Sequence, residues 1–148
     1  AMPYLHARLD NTQTYLQGQA TTWIFDLFQG AYASEAWNGS EPGTELGFPF
    51  TGVVVVGIQL LLNESGVNAV DKTYRLIANL GNNTPYNNRL ADWSSRTSPA
   101  SPNMIMECSP PSRVVAGAKL SFIFTPQTTV DLTAGGYRNV FCQYLRVD

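Results

Sequence analysis

The sequence predicts an all-β protein, a β-sandwich or jelly roll of short antiparallel strands. Three observations carry this prediction. Apolar and polar residues alternate in short runs that Gly, Pro, Asn and Ser turns separate, which is the pattern of half-buried strands. No stretch of about 10–15 residues shows clean helical periodicity with a cap at each end. No helical segment separates consecutive strands, which argues against a parallel α/β sheet.

The first half of the chain is predicted to hold three strands. Residues 3–9 alternate well enough for an N-terminal strand or arm, and the Asp and Asn of 10–14 are typical of a turn. Residues 21–28 are rich in β-branched and aromatic side chains, which favour a strand over a helix. Residues 38–49 are predicted to be a loop. Residues 50–62 contain four consecutive Val, which are stiff at χ1 and favour a pleated strand.

The second half repeats the alternating pattern. We predict strands at 72–80, 104–108, 120–124, 128–132 and 137–147. The exception is 81–103, which is long for a connection in a compact domain. Loops longer than about 12–15 residues are usually functional or contain a short element. We therefore predict a long functional or interface loop there, with NRLADW as a possible short element inside it.

The composition indicates one domain over residues 1–148 and excludes several classes of protein. Only 14% of the 148 residues are charged and the net charge is -2, so there is no basic stripe for nucleic acid. We expect no signal peptide, because no cationic start is followed by an apolar h-region, and no membrane span, because no apolar run approaches about 20 residues. Cys108 and Cys142 are either two free buried thiols or one bridge.

The residues that chemistry requires are too few or too scattered for an enzyme. His6 is the single histidine and no Gly-x-Ser-x-Gly turn is present, so a catalytic triad lacks a scaffold. Glu41 and Glu45 share a loop, where solvated charges are the simpler interpretation than a glycosidase pair. No zinc, calcium or phosphate-binding pattern occurs. We expect a non-enzymatic protein without cofactor or metal.

Several predicted strands are apolar on both faces. A sandwich has one inner face, and its outer faces should be polar where they meet water. An exposed sheet this apolar would exceed the few hundred Å2 that a monomer tolerates. No helix is predicted that could cover it, so a second copy of the chain is the simplest cover. The candidate subunit-interface residues are Trp23, Phe25, Val54, Val56, Ile123 and Tyr144.

The order of these features resembles a known superfamily. A TQT turn with Gly18 leads into ATTWIFD, a loop carries Trp37 and Asn38, and FPFTGVVVVGIQLLL follows. TYRLIANLGN, VVAGAKLSFIF and NVFCQYLRVD complete the pattern over about residues 8–148. This resembles the globular heads of the complement and tumour necrosis factor-like superfamily, in the form found in tailed-bacteriophage virion proteins. The resemblance implies an antiparallel jelly roll of about ten strands and a compact homotrimer packed around a threefold axis.

The resemblance also implies a function. We expect a structural virion protein, a trimer that decorates the capsid surface and clamps neighbouring shell subunits, made in the host cytoplasm. The alternative is a receptor- or glycan-binding module at the tip of a tail fibre. Rings and amides on loops would make the contact with a virion protein or a host glycan, unless they only pack the loops. These surface candidates are Trp37, Asn38, Tyr86, Asn87 and Trp93.

Overall fold

The computed structural model describes residues 2–9, 13–16, 18–25, 27–29, 43–65, 72–81, 88–97, 103–126 and 131–148. Within these ranges the chain forms twelve β-strands and no helix. The strands are β1 (Tyr4–Leu9), β2 (Gln13–Tyr15), β3 (Thr21–Thr22), β4 (Leu27–Gln29), β5 (Leu46–Gly47), β6 (Gly52–Ser65), β7 (Lys72–Gly81), β8 (Asn88–Thr97), β9 (Asn103–Cys108), β10 (Ser112–Val114), β11 (Lys119–Pro126) and β12 (Asp131–Val147). The predicted all-β class is confirmed.

Two antiparallel sheets pack face to face. The seven-strand sheet has the order β10-β6-β12-β1-β4, with β9 also paired to β6 and β2 also paired to β12. The five-strand sheet has the order β3-β11-β7-β8, with β5 also paired to β11. β6 and β12 lie at the centre of the seven-strand sheet and pair along most of their length. The short strands β9 and β10 share one edge of β6, and β1 and β2 share one edge of β12.

Alternation fixes which side chains enter the core. β11 alternates buried and half-buried residues along its whole length, as a strand between a core and a surface must. Its inward aromatic rings stack on rings from other elements. Phe124 lies 5.5 Å from Tyr74 between ring centroids, and Phe122 lies 5.6 Å from Trp23. Aromatic pairs at such distances add to the stabilisation that burial gives.

The segment predicted as one strand at 21–28 divides between the two sheets. Thr21 and Thr22 pair with β11, and the Trp23 amide donates to the Phe122 carbonyl at 2.9 Å. Phe25 forms an isolated bridge with Gly43. β4 then pairs with β1 in the opposite sheet. The prediction of a single strand was therefore wrong, because the chain crosses the edge of the sandwich within these residues.

The segment 81–103 contains a ten-residue strand, β8, so the prediction of one long loop was wrong. β8 pairs with β7, and a register shift places Leu90 as an extra residue between Arg89 and Ala91. Leu90 and Ala91 are consecutive and both buried. This β-bulge breaks the alternation by which a strand is recognised in a sequence. NRLADW lies within this strand.

Glycines were predicted to form turns at two places, but only one of the two places is a turn in the structure. The strands predicted at 128–132 and 137–147 are one strand, β12, with a register irregularity between Ala134 and Arg138 where the glycines lie. Gly117, in the turn before β11, has a φ of 88°, a conformation that favours glycine. The Gly117 amide donates to the Phe48 carbonyl at 2.8 Å, which ties this turn to the chain before β6.

Candidate functional site

Five of the six predicted subunit-interface residues lie in the core of the chain itself. Trp23, Phe25, Val54, Val56 and Tyr144 are at most 1% exposed, because the opposite sheet covers them. These five assignments are corrected by the structure. The strands do carry apolar residues on both faces, but the predicted residues are those on the inner face.

The apolar residues on the other side of the seven-strand sheet are exposed or half-buried. We call this surface the apolar face; it comprises Tyr4, Val53, Val55, Leu61, Met104, Met106, Phe141 and Leu145. Met106 is 71% exposed and Leu145 is 51% exposed. Neighbouring strands bring these side chains together, since Met104 lies opposite Leu61. Contiguous exposed apolar surface of this kind is typical of an interaction site.

A depression lies near the centre of the apolar face, with Gly57 at its floor. Gly57 is opposite Cys108 on β9 and opposite Phe141 on β12. The depression has a volume of about 370 Å3, and Met106, Cys108 and Phe141 line it. It exists because Gly57 has no side chain between two strands whose side chains point outward. Its shape and lining suit an apolar side chain.

Polar side chains within the apolar face bond to one another. His6 Nε2 donates to Asn139 Oδ1 at 2.8 Å, and Asn139 Nδ2 donates to Gln59 Oε1 at 3.3 Å. The His6 ring stacks on Phe141 with 4.6 Å between centroids. Asn139 is already buried, and both ends of its amide have a partner. Covering this face would therefore leave no unsatisfied Asn139 amide.

The outer face of the five-strand sheet is different, because most of its residues are polar or charged. Arg75 Nη2 lies 2.7 Å from Asp92 Oδ2, and Arg89 Nη1 lies 2.9 Å from the same oxygen. The hydrogen bond from Arg75 is the main reason that the pKa of Asp92 is lowered. Ile123, the sixth interface candidate, lies on this face opposite Ile77 and is half-buried. A polar outer face is what an antiparallel sheet shows where it meets water.

Of the five predicted surface-binding residues, the structure describes only Trp93. Trp37, Asn38, Tyr86 and Asn87 lie outside the described residues. Trp93 is only 9% exposed, and its Nε1 donates to the Cys108 carbonyl at 3.3 Å. The assignment of Trp93 to a binding loop was therefore wrong, because it belongs to the inward face of β8.

The residues that the sequence did not single out are Met104, Met106, Phe141 and Leu145. The sequence did contain evidence for them, since the apolar alternation of 104–108 and of the last strand places these side chains on one face of each strand. A period of two does not say which face turns inward when both are apolar.

The described ranges contain no group of three or more His, Cys, Asp or Glu residues that could hold a metal ion. Cys108 is exposed and Cys142 is buried, and both thiols are free. Burial raises the pKa of the Cys142 thiol to about 12. No helix in the part of the chain that the structure describes is long and apolar enough to cross a membrane.

The fold defines a class of protein, the antiparallel jelly-roll β-sandwiches. A solved structure described as Eiger TNF from S. frugiperda has a similar fold, with a TM-score of 0.60 and 13% sequence identity. The similarity covers 99% of this chain and 92% of that chain. No family model matches the sequence, and no curated protein matches it. At this identity the likeness concerns the fold alone.

Proposed function

We propose that this protein is a non-enzymatic structural protein that works as a homotrimer, with the apolar face packed between subunits. The observation that carries the proposal is the contrast between the two outer faces. Exposed Met106, Phe141 and Leu145 lie on one sheet, whereas the Arg75–Asp92–Arg89 cluster lies on the other. Burial of apolar side chains gives about 25 cal/mol per Å2, so the apolar face is the one that gains from being covered.

The setting that we propose for the trimer is a bacteriophage particle. The sequence resemblance supports it, and a trimer can sit on a threefold position of a shell through matched symmetry. There it would clamp neighbouring shell subunits and stabilise them by mass action. The alternative, a glycan-binding module at a fibre tip, is weakened by the burial of Trp93.

Self-association is tested by charge substitutions on the two faces. Met106→Glu and Phe141→Glu place a carboxylate on exposed positions of the apolar face, where a partner would have to bury it. We expect both variants to be monomers at micromolar concentration by light scattering, whereas the original chain is a trimer. Circular dichroism checks that each monomer keeps the β-sheet signal.

The matched control is Ser121→Glu on the outer face of the five-strand sheet, which should leave the trimer intact. A monomeric parent chain would refute the proposal. Dissociation by Ser121→Glu alone would assign the interface to the other sheet. The virion setting has its own test, namely binding of the purified trimer to particles that lack it. Failure to bind would refute the clamping role while leaving self-association standing.

A further inference from the structure

A second cavity lies beside the apolar face, at the open side of the sandwich. It is a cleft of about 400 Å3 between β8 and β10, which are end strands of the two sheets in the described chain. Residues of both sheets line it: Leu80, Arg89, Leu90, Ser112, Arg113, Val114, Val115 and Ala118. Cavities of about 300–1,000 Å3 with apolar walls and few polar groups are typical of small-molecule sites.

The walls of the cleft are apolar and fixed by the core. Leu80, Leu90, Val114 and Ala118 are all buried, so their positions are set by the packing of both sheets. Leu90 is the extra residue of the β8 bulge. Bulges redirect side chains and occur often at sheet edges and beside binding sites. Here the bulge places Leu90 in the cleft wall directly after Arg89.

Two guanidinium groups and the side chain of Ser112 supply the polar part of the lining. Arg89 Nη1 contacts Asp92 at 2.9 Å, and Arg113 Nη1 contacts Asp148 at 2.6 Å. Each arginine makes one ion pair and is still partly exposed, and a guanidinium has five N–H donors. Donors therefore remain for a ligand at the cleft.

The two ion-pair clusters beside the cleft carry a net positive charge, although the chain as a whole is acidic. Asp92 is shared with Arg75, and Asp148 is shared with Arg146. These two clusters contain four guanidiniums and two carboxylates, an excess of two positive charges in a chain of net charge -2. An anionic group gains from this excess, and a planar carboxylate matches the fork of a guanidinium.

We propose that this cleft binds a small amphiphilic carboxylate. The carboxylate would bond to Arg89 and Arg113, and an alkyl chain would lie against Leu80, Leu90 and Val114. Apolar walls with guanidiniums as the only charged lining suit one anionic head and a short apolar tail. This inference does not rest on self-association, although the cleft borders the apolar face at Arg113, which lies opposite Val53.

Calorimetric titration with octanoate, acetate and octanol tests the chemistry. We expect saturable 1:1 binding of octanoate, and binding at least about tenfold weaker for acetate, which lacks the tail, and for octanol, which lacks the charge. Octanol binding as tightly as octanoate would overturn the role of the arginines. Acetate binding as tightly would overturn the role of the walls. No octanoate binding at millimolar concentration would overturn the site itself.

Matched arginine variants distinguish direct binding of the carboxylate by Arg89 and Arg113 from nonspecific attraction of an anion to positive charge. Arg89→Gln and Arg113→Gln should each weaken octanoate binding about tenfold or more, the usual value of a charge-assisted hydrogen bond. Arg75→Gln and Arg146→Gln remove the same charge beside the same aspartates but do not line the cleft, so they should weaken octanoate binding clearly less than Arg89→Gln and Arg113→Gln do. An equal loss in all four variants would overturn the proposal.

A filling variant gives an independent test. Val115 is 55% exposed at the cleft, so Val115→Trp can place an indole there without entering the core. Octanoate binding should be lost while the fold, followed by circular dichroism, is kept. Unchanged binding would contradict the proposed position. Light scattering on the same samples distinguishes failure of this inference from failure of the proposed trimer.

Discussion

Arg138 is a cation with no exposed surface, inside the sandwich. Its Nη1 donates to the Tyr15 hydroxyl at 2.9 Å, and its Cζ lies 5.9 Å from the centroid of the Trp23 ring. A buried charge is costly unless hydrogen bonds and ring contacts replace the water that it loses. Arg138 therefore connects β12, β2 and the crossing segment through polar contacts in an otherwise apolar core.

Tyr15→Phe removes the oxygen that accepts from Arg138 and keeps the aromatic ring. We expect the free energy of unfolding to fall by about 1–3 kcal/mol, because a buried donor loses its partner. Urea denaturation measures the change. In an Arg138→Met background the same substitution should cost much less, because the guanidinium that would lose its partner is absent. Equal costs in the two backgrounds would show that the pair is not coupled.

β6 shows how one strand can hold two glycines for different reasons. A Cβ at Gly52 would collide with the Arg146 carbonyl, where β12 changes register against β6. A Cβ at Gly57 would lie 3.5 Å from the Glu107 carbonyl oxygen, an ordinary contact. Gly52 is therefore required by the close approach of two backbones, whereas Gly57 leaves the depression in the apolar face.

The two alanine variants should differ in stability. Gly52→Ala should lower the free energy of unfolding by about 1–3 kcal/mol, because β12 has to move. Gly57→Ala should change it by less than about 1 kcal/mol, since alanine also loses less backbone entropy than glycine on folding. Both are measured by thermal unfolding at one concentration and in one oligomeric state. A larger loss at Gly57 would contradict this account of β6.

At the scale of the whole molecule, burial in the described core raises the pKa of Tyr15, Cys142 and Tyr144. Burial raises the pKa of Cys142 from 9.0 to about 12, and those of Tyr15 and Tyr144 from 10.0 to about 12. In the unfolded chain these groups ionise at lower pH. Unfolding therefore releases protons in alkaline solution, and higher pH favours the unfolded state.

We expect the contribution of these groups to be intact below about pH 9 and to be lost as the pH rises toward about 12. Each group adds a slope of about 1.4 kcal/mol per pH unit above its unfolded pKa. Urea denaturation from about pH 8 to about pH 11 measures the loss. In a plot of the free energy of unfolding against pH, Cys142→Ala should reduce the slope from about pH 9 upward, and Tyr15→Phe should reduce it above about pH 10. A parent profile that stays level to about pH 11 would contradict the prediction.

The sequence allowed the sandwich to be predicted but not the orientation of its faces. Four consecutive Val identify β6 as a strand, yet Val53–Val56 alternate equally well with either pair inward. Only the position of the second sheet, a long-range contact, decides that Val54 and Val56 are covered. β8 was missed because its bulge at Leu90 breaks the local period. The crossing of 21–28 between the sheets likewise depends on partners distant in the chain.

The pairing of β1 with β12 has a consequence for how the protein is made. Tyr4 lies opposite Gln143, and Leu5 lies opposite Cys142, so the first strand is held by the last. Closing so large a loop is slow, because its entropy cost is offset only when the final native contacts form. While the chain is being synthesised, β1 and β6 therefore expose unpaired edges until β12 emerges from the ribosome. This interval is when the chain is most exposed to aggregation, and when a chaperone would matter most.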